Sequence, residues 1–274
     1  MIEEQVSQEW LGIDLEGTLG STERAVEAVS GLIEGAEDRR DVLAPGLTWS
    51  VQELATHLAA GGRLYGGYIA GQQDFGYDIT DLAGSNRRQL DAFGEHTLSA
   101  LASSIRTTYA ELVETARGRD PFEDVPWHGT VAPLGAVCGL LLGELLLHGI
   151  DLAKALGVPW KLDESDAVHV VRAGYVTAPR VVDHQLAATK PVTYRVQLPS
   201  VPAAIWKFDH EGLTIRPWTR GDRIDCTIRT DAASFLLVAY GRTSPIRSAL
   251  RGRVLAWGRR PLAGFRMSDY LLLG

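Results

Sequence analysis

Gly143-Glu144-Leu145-Leu146-Leu147-His148-Gly149-Ile150-Asp151 sets a carboxylate and an imidazole four residues apart in a run that is otherwise apolar. Residues i and i+4 of an α-helix share a face, so Glu144 and His148 present oxygen and nitrogen side by side. At ~100° per residue, Asp151 lies ~20° to the other side of Glu144, whereas Cys138 lies ~120° away. A helix this apolar turns inward, where an unpaired carboxylate is costly and a metal ion removes the cost. Two inward ligands are half of a metal site. The best third ligand is His57, within Trp49-Ser50-Val51-Gln52-Glu53-Leu54-Ala55-Thr56-His57-Leu58. Ser50 with Glu53 forms a capping-box signature, which puts His57 in the second turn of the helix it opens.

Two nitrogens and one oxygen leave a coordination position open, the mark of a catalytic rather than a structural site. Zinc is the ion that suits such a mixed set. Asp151, one turn beyond His148, is placed to orient an imidazole. Each signal alone has a plainer reading. A lone helical histidine is usually an ordinary hydrogen-bonded residue, and Glu and His at this spacing also pair with each other. Cys138 reads as a small buried hydrophobe. Cys226 alternates with Asp225 and Thr227 and so faces a core; neither cysteine is expected to be a nucleophile.

Outward from this stretch, the first half reads as helices. Apolar residues at helical spacing mark about Leu15 to Ala36 (Leu19, Val26, Val29, Ile33) and Ser50 to about Ala70. A loop rich in Gly, Asp and aromatics covers Gly71 to Ser85, and a third helix is expected from Asn86 to Arg117 with Gly94 as its weak point. Val125 to Gly129 reads as a loop. The fourth helix starts at Thr130 or Pro133 and stops at Gly157-Val158-Pro159. Four long helices predict a four-helix bundle.

Beyond a short helix near Glu164–Thr177 the periodicity shifts to two, predicting strands at Val192–Leu198, Ala204–Phe208, Leu213–Trp218 and Ile224–Ile228. Asp231 caps a helix to about Tyr240, another follows Pro245, Val254–Trp257 is a last strand, and a helix closes the chain. This is an α+β pattern. The chain therefore divides into an all-α domain over 1–160 and an α+β domain over 161–274.

A net charge of −7 and a pI near 5.5 argue against nucleic acid as a partner. With only Cys138 and Cys226, no disulfide framework is indicated. The acidic start, Met1-Ile2-Glu3-Glu4-Gln5, does not read as a signal peptide. The apolar run Leu140–Leu147 is interrupted by Glu144 and reads as too short to span a bilayer. A cytoplasmic protein without a membrane partner, monomeric or homodimeric, is the expectation. The 23 arginines against 4 lysines point to a high-GC source.

At Thr48-Trp49-Ser50-Val51, Leu54-Ala55, His57-Leu58, and Gly143-Glu144-Leu145, His148-Gly149-Ile150-Asp151-Leu152-Ala153, Leu156-Gly157, the sequence resembles the mycothiol-dependent maleylpyruvate isomerase family of actinobacteria. The resemblance extends to the order of elements over nearly the whole chain. It implies a DinB-like metal-binding four-helix bundle followed by a sterol-carrier-protein-2-like α+β domain. It also implies a divalent metal on His57, Glu144 and His148, and mycothiol as cofactor or co-substrate. That family uses a C-terminal arginine to hold substrate or thiol; Arg242, Arg251 and Arg253 lie in a suitable region, and His128 enters the loop before the metal helix. The acidic lead and the insertion-like loop Gln72–Ser85 depart from the family pattern.

The resemblance implies an enzyme that adds mycothiol, as the thiolate, to a small electrophile. If the adduct rotates and expels the same thiol the result is isomerisation; if another group leaves it is S-transfer. Two other readings compete: a zinc-dependent hydrolase using metal-bound water, and a non-catalytic binder of lipids or small molecules. A carrier, however, has no need of a buried His57/Glu144/His148 set.

Overall fold

The apolar periodicity of the first half is realised in four long helices, held in register by their ends. The computed structural model describes residues 9–73, 81–94 and 96–272. Helices α1 (Leu15–Glu34), α2 (Val51–Ile69), α3 (Leu82–Phe93), α4 (Leu98–Ala116) and α5 (Leu134–Leu156) make up one unit, residues 13–162. α1 and α2 each pack on both α4 and α5, which makes these four a bundle, while the short α3 lies against α2. Asp14 accepts from the Gly17 amide at the head of α1, and Ser50 and Glu53 close a reciprocal capping box on α2. Gly157 ends α5 in a left-handed conformation, φ 65°. The core they enclose is aliphatic: Leu19, Val29, Leu54, Leu58, Ile105 and Leu145 are each at most 1% exposed.

Close packing leaves no spare room where α2 meets α4. A Cβ on Gly62 would stand 2.5 Å from Cε2 of Tyr109. Tyr109 is 1% exposed and its hydroxyl donates to the Leu58 carbonyl at 3.2 Å, so the ring cannot step aside freely. Gly62→Ala is therefore expected to lower stability by about 1–3 kcal/mol despite its better helix propensity. A denaturant midpoint equal to or above the wild type's would contradict this packing.

Several expectations need correction. The third helix is two helices: Gly94 takes φ 82°, and Thr97 caps α4 by accepting from the Ala100 amide. Helix α3 starts earlier than expected, at Leu82, because Asp81 accepts from the Gly84 amide; of the loop expected at 71–85, residues 74–80 lie outside the described residues. The segment expected as a loop at Val125–Gly129 is a hairpin, β1 (Asp124–Trp127) with β2 (Thr130–Pro133). Its turn residues His128 and Gly129 both have positive φ, 47° and 78°, the geometry whose twist matches paired strands. Finally, α5 is by length and apolarity long enough to cross a membrane, but 83% of its most apolar window is buried inside the protein.

The other unit holds residues 163–272 together with 9–12. The division expected at residue 160 had placed the lead with the helices. Instead Trp10 packs its ring 6.2 Å from that of Tyr175, and Arg172 donates to the Gly12 carbonyl. Helix α6 (Glu164–Thr177) and the short α7 (His184–Thr189) precede a five-stranded sheet of order β5-β4-β3-β6-β7. Its strands are β3 (Val192–Leu198), β4 (Val201–Asp209), β5 (Gly212–Pro217), β6 (Cys226–Thr230) and β7 (Val254–Gly258). Only β3 and β6 run parallel; the other neighbours are antiparallel. Helices α8 (Ala232–Ala239) and α9 (Pro245–Leu250) form the β6–β7 crossover. Trp206 anchors the core edge-on to Tyr175 and Phe235. The expected closing helix is instead two 3-10 turns, Pro261–Phe265 and Met267–Tyr270.

Candidate metal centre

Two helices build the site. His57, one and a half turns into α2, and Glu144 and His148, mid-way along α5, meet because α2 packs on α5. His57 Nε2 lies 3.2 Å and His148 Nε2 3.3 Å from the same Glu144 oxygen, Oε2. One ligand atom from each of the three residues falls within 4.8 Å of the others. Two ligands on one tetrahedral ion at ~2.0–2.1 Å are separated by about 3.3 Å, so the carboxylate–imidazole spacings are those of a shared ion. His148 Nδ1 lies 3.3 Å from Oδ2 of Asp151, which is 1% exposed, so the ring's other nitrogen faces a carboxylate.

The electrostatics follow from this clustering. Burial pushes the Glu144 carboxyl up, but hydrogen bonds from His148 and His57 outweigh it and hold the group well below the usual carboxylate range. Burial lowers His57, further helped by neighbouring His148 and only partly opposed by Glu144, so its imidazole is neutral. His148 is raised: Asp151 and Glu144 overcome the desolvation that would lower it. An anionic oxygen with two neighbouring imidazoles is the donor chemistry of a divalent ion. Among the described residues Nδ1 of buried His57 has no hydrogen-bond partner, so none of them competes to turn that ring from the cluster. The residues therefore fit a metal.

Beside the cluster lies an open pocket, lined by His57, Glu144, Tyr65, Tyr109 and His128 among others. Glu144, half-buried, opens onto it. His128 sits at the hairpin tip in the left-handed conformation, and its Nδ1 lies 3.2 Å from the Tyr68 hydroxyl. Burial lowers His128 to about 4, so it is neutral at physiological pH.

Of the residues singled out in the sequence, the structure brings together His57, Glu144, His148 and Asp151, and puts His128 on their cavity. Arg242 and Arg253 belong to the other unit: Arg242 is half-buried and donates to the Tyr240 carbonyl, and Arg253 is exposed just ahead of β7. Both cysteines are buried and their thiols are pushed up by desolvation, Cys138 to about 12, which suits neither to nucleophilic attack. Sequence reasoning missed Trp49, whose ring is 4.8 Å from that of His57 and 6.0 Å from that of His148. Its position next to the Ser50 cap was the available signal. It also missed Asn86 and Gln89, which line the cavity from a helix read as starting only at Asn86.

No functionally curated protein matches the chain in sequence. Among solved structures, the chain is similar to a mycothiol-dependent maleylpyruvate isomerase, with a TM-score of 0.53 at 16% identity over 89% of this chain and 92% of that one. A histidine-to-alanine variant of a mycothiol-dependent maleylpyruvate isomerase gives 0.55 at 13% identity over the same shares. At these identities the likeness speaks for the fold. Residues 20–153 match the family model described as the mycothiol maleylpyruvate isomerase N-terminal domain, a stretch that includes His57, Glu144, His148 and Asp151. The chain thus carries, over residues 20–153, a domain of the mycothiol maleylpyruvate isomerase N-terminal family.

Proposed function

We propose that this protein is a metal-dependent enzyme that uses mycothiol as a thiolate to isomerise, or to transfer sulfur to, a small electrophilic substrate. The observation that carries this is the convergence of His57 and His148 Nε2 on one Glu144 oxygen, at 3.2 and 3.3 Å, beside a cavity. His57, Glu144 and His148 would hold the ion, with zinc the best match to two imidazoles and one carboxylate. Bound there, such an ion supplies the Lewis acidity that keeps a thiol deprotonated well below its ordinary pKa of ~8.5.

The chain's own residues do the rest. Asp151 and the packed α2–α5 interface orient the ligands, and Trp49 covers the two imidazoles. The pocket walls would hold the acceptor against the thiol. For isomerisation the sulfur–carbon bond forms at an alkene carbon as its electron pair moves onto a conjugated carbonyl oxygen. Rotation about the resulting single bond follows, and the returning pair expels the same thiolate. The helical unit is read as a DinB-like bundle and the second as a sterol-carrier-protein-2-like domain.

One observation favours an additional small-molecule role for the second unit. It contains a largely apolar pocket lined by Phe235, Val254, Met267 and Leu271, among others, and the buried Thr230 hydroxyl beside it has no partner among the described residues.

The test is spectroscopic and kinetic. Cobalt-substituted protein should gain a sulfur-to-metal absorbance on addition of mycothiol, and metal-replete protein should isomerise cis-alkenoyl substrates only when the thiol is present. His57→Ala should show neither. A cobalt spectrum unmoved at saturating thiol, together with thiol-independent hydrolysis of an ester or amide, would replace this reading with the hydrolase.

A further inference from the structure

Charge is unevenly shared along the chain. Residues 13–162 hold 21 acidic and 11 basic side chains, whereas residues 163–274 hold 10 acidic and 16 basic. The basic excess is concentrated further: from Arg242 to Arg266 there are seven arginines and no Asp or Glu. In the helical unit Arg87, Arg106, Arg117 and Arg119 are each tied to carboxylates. Arg247, Arg251, Arg253 and Arg259 are instead exposed and meet no carboxylate among the described residues.

The same stretch leaves apolar side chains in water. Among the described residues, six of the ten large apolar side chains that stay exposed lie between Ile246 and Leu272. Leu250 is 85% exposed, Leu262 75% and Ile246 60%, and Leu255 and Trp257 are about half open. Exposed apolar groups gathered in this way mark an interaction surface. Helix α9 and the 3-10 turn Pro261–Phe265 both pack on β7, so these side chains collect along one edge of the sheet. On α9, Ile246 and Leu250 stand four residues apart and share a stripe, with Arg247 and Arg251 on the next. Leu255 and Trp257, two apart on β7, share a face with Arg229, the β6 partner of Leu255.

Strand β7 pairs with β6 alone, and an open edge invites another chain unless charge guards it. Arg253 and Arg259 bracket the strand. A second copy pairing antiparallel, with Val254 opposite Gly258, would set these like charges against each other. A polyanion meets no such barrier. Nucleic acid would engage the arginines and Trp257, but gains little from Ile246, Leu250, Leu255 and Leu262, which offer no stacking plane. An anionic bilayer uses both kinds of residue. Aliphatic side chains and Trp settle at the acyl boundary, while arginines reach the headgroup phosphates.

We propose that the β7 edge of the second unit is a docking surface for anionic lipid bilayers, holding the protein at a membrane face without a spanning helix. This role is independent of the metal centre and of the thiol chemistry.

Sedimentation of the metal-replete full chain with lipid vesicles tests it. At ~0.1 M salt, partition onto phosphatidylcholine with about 30% phosphatidylglycerol should exceed that onto phosphatidylcholine alone at least about tenfold, and the excess should vanish near about 1 M salt. Arg247→Glu/Arg259→Glu should lower the anionic partition at least about tenfold. Leu250→Ser/Leu262→Ser changes no charge and should lower it about tenfold as well. All four sites are exposed, so the melting temperatures of both variants should match the wild type's. A wild type that binds neither vesicle, or both alike, overturns the proposal. So does a leucine variant that binds as the wild type does, since charge alone would then account for the affinity. Binding to a short DNA duplex in place of vesicles would reassign the surface to nucleic acid. A dimer in sedimentation velocity that Arg247→Glu/Arg259→Glu dissolves, with no vesicle binding, would reassign it to a contact between copies.

Discussion

Glu144→Gln is expected to strip the protein of its metal and to lower thiol-dependent turnover by on the order of 10³-fold, the scale of a lost metal-ion contribution of several kcal/mol. Glutamine keeps the shape of the side chain, so packing between α2 and α5 is preserved. What disappears is the carboxylate charge that both His57 Nε2 and His148 Nε2 approach. Asp151 cannot substitute, because its oxygen faces the other nitrogen of His148. Asp151→Asn should be milder, weakening metal binding by about 10–100-fold, as outer partners of metal-bound histidines do. Elemental analysis of the purified variants separates the two effects, and a melting curve of the metal-free proteins controls for folding. Full metal occupancy in Glu144→Gln would remove the basis of the proposed chemistry.

Acid should unfold the helical unit more readily than its carboxylates alone explain, and His128 should account for much of the difference. Its folded pKa is lowered to about 4 by burial, against an unfolded value near 6.5. Above pH 6.5 the residue is neutral in both states and the fold pays no penalty. Between about 6.5 and 4 the unfolded chain binds a proton that the folded one refuses, so stability falls with pH, and by pH 4 the loss amounts to about 3 kcal/mol. Lowered His57 acts in the same direction in metal-free protein, and raised His148 acts in the opposite one. His128→Asn isolates the term, since asparagine tolerates the left-handed backbone at φ 47° but does not titrate. Denaturant titrations of metal-free protein at pH 7 and 4.5 should show a smaller pH-dependent loss in the variant than in the wild type. Equal losses would mean that His128 is solvated in solution.

How much of this was legible beforehand differs element by element. Glu144 and His148 could be paired from the chain alone because an i,i+4 relation is local geometry, independent of what the helix packs on. The capping box at Ser50 and Glu53 located α2 for the same reason, and the period-two pattern announced β3 to β7. Where the reading slipped, the deciding contact was distant or the backbone unusual. Gly94 was weighed as a helix residue of poor propensity, yet its positive φ and the Thr97 cap make it a break. The hairpin at β1–β2 hid behind a histidine at a left-handed position, where asparagine or glycine is the usual signal.

Periodicity told which face of α5 turns inward, but not what it would face. That His57 reaches the same carboxylate oxygen as His148 depends on the crossing of α2 and α5, a property of side-chain packing between segments 87 residues apart. Likewise the lining of the pocket draws on α2, α3, α4, α5 and the hairpin, and no local pattern in any one of them encodes it. By itself the sequence determined the pairing of Glu144 with His148, the helix ends and the change from helices to sheet, because each follows from contacts within a few residues. The approach of His57, the stacking of Trp49 on the two imidazoles and the lining of the pocket beside them were decided only when the tertiary structure set distant side chains against one another.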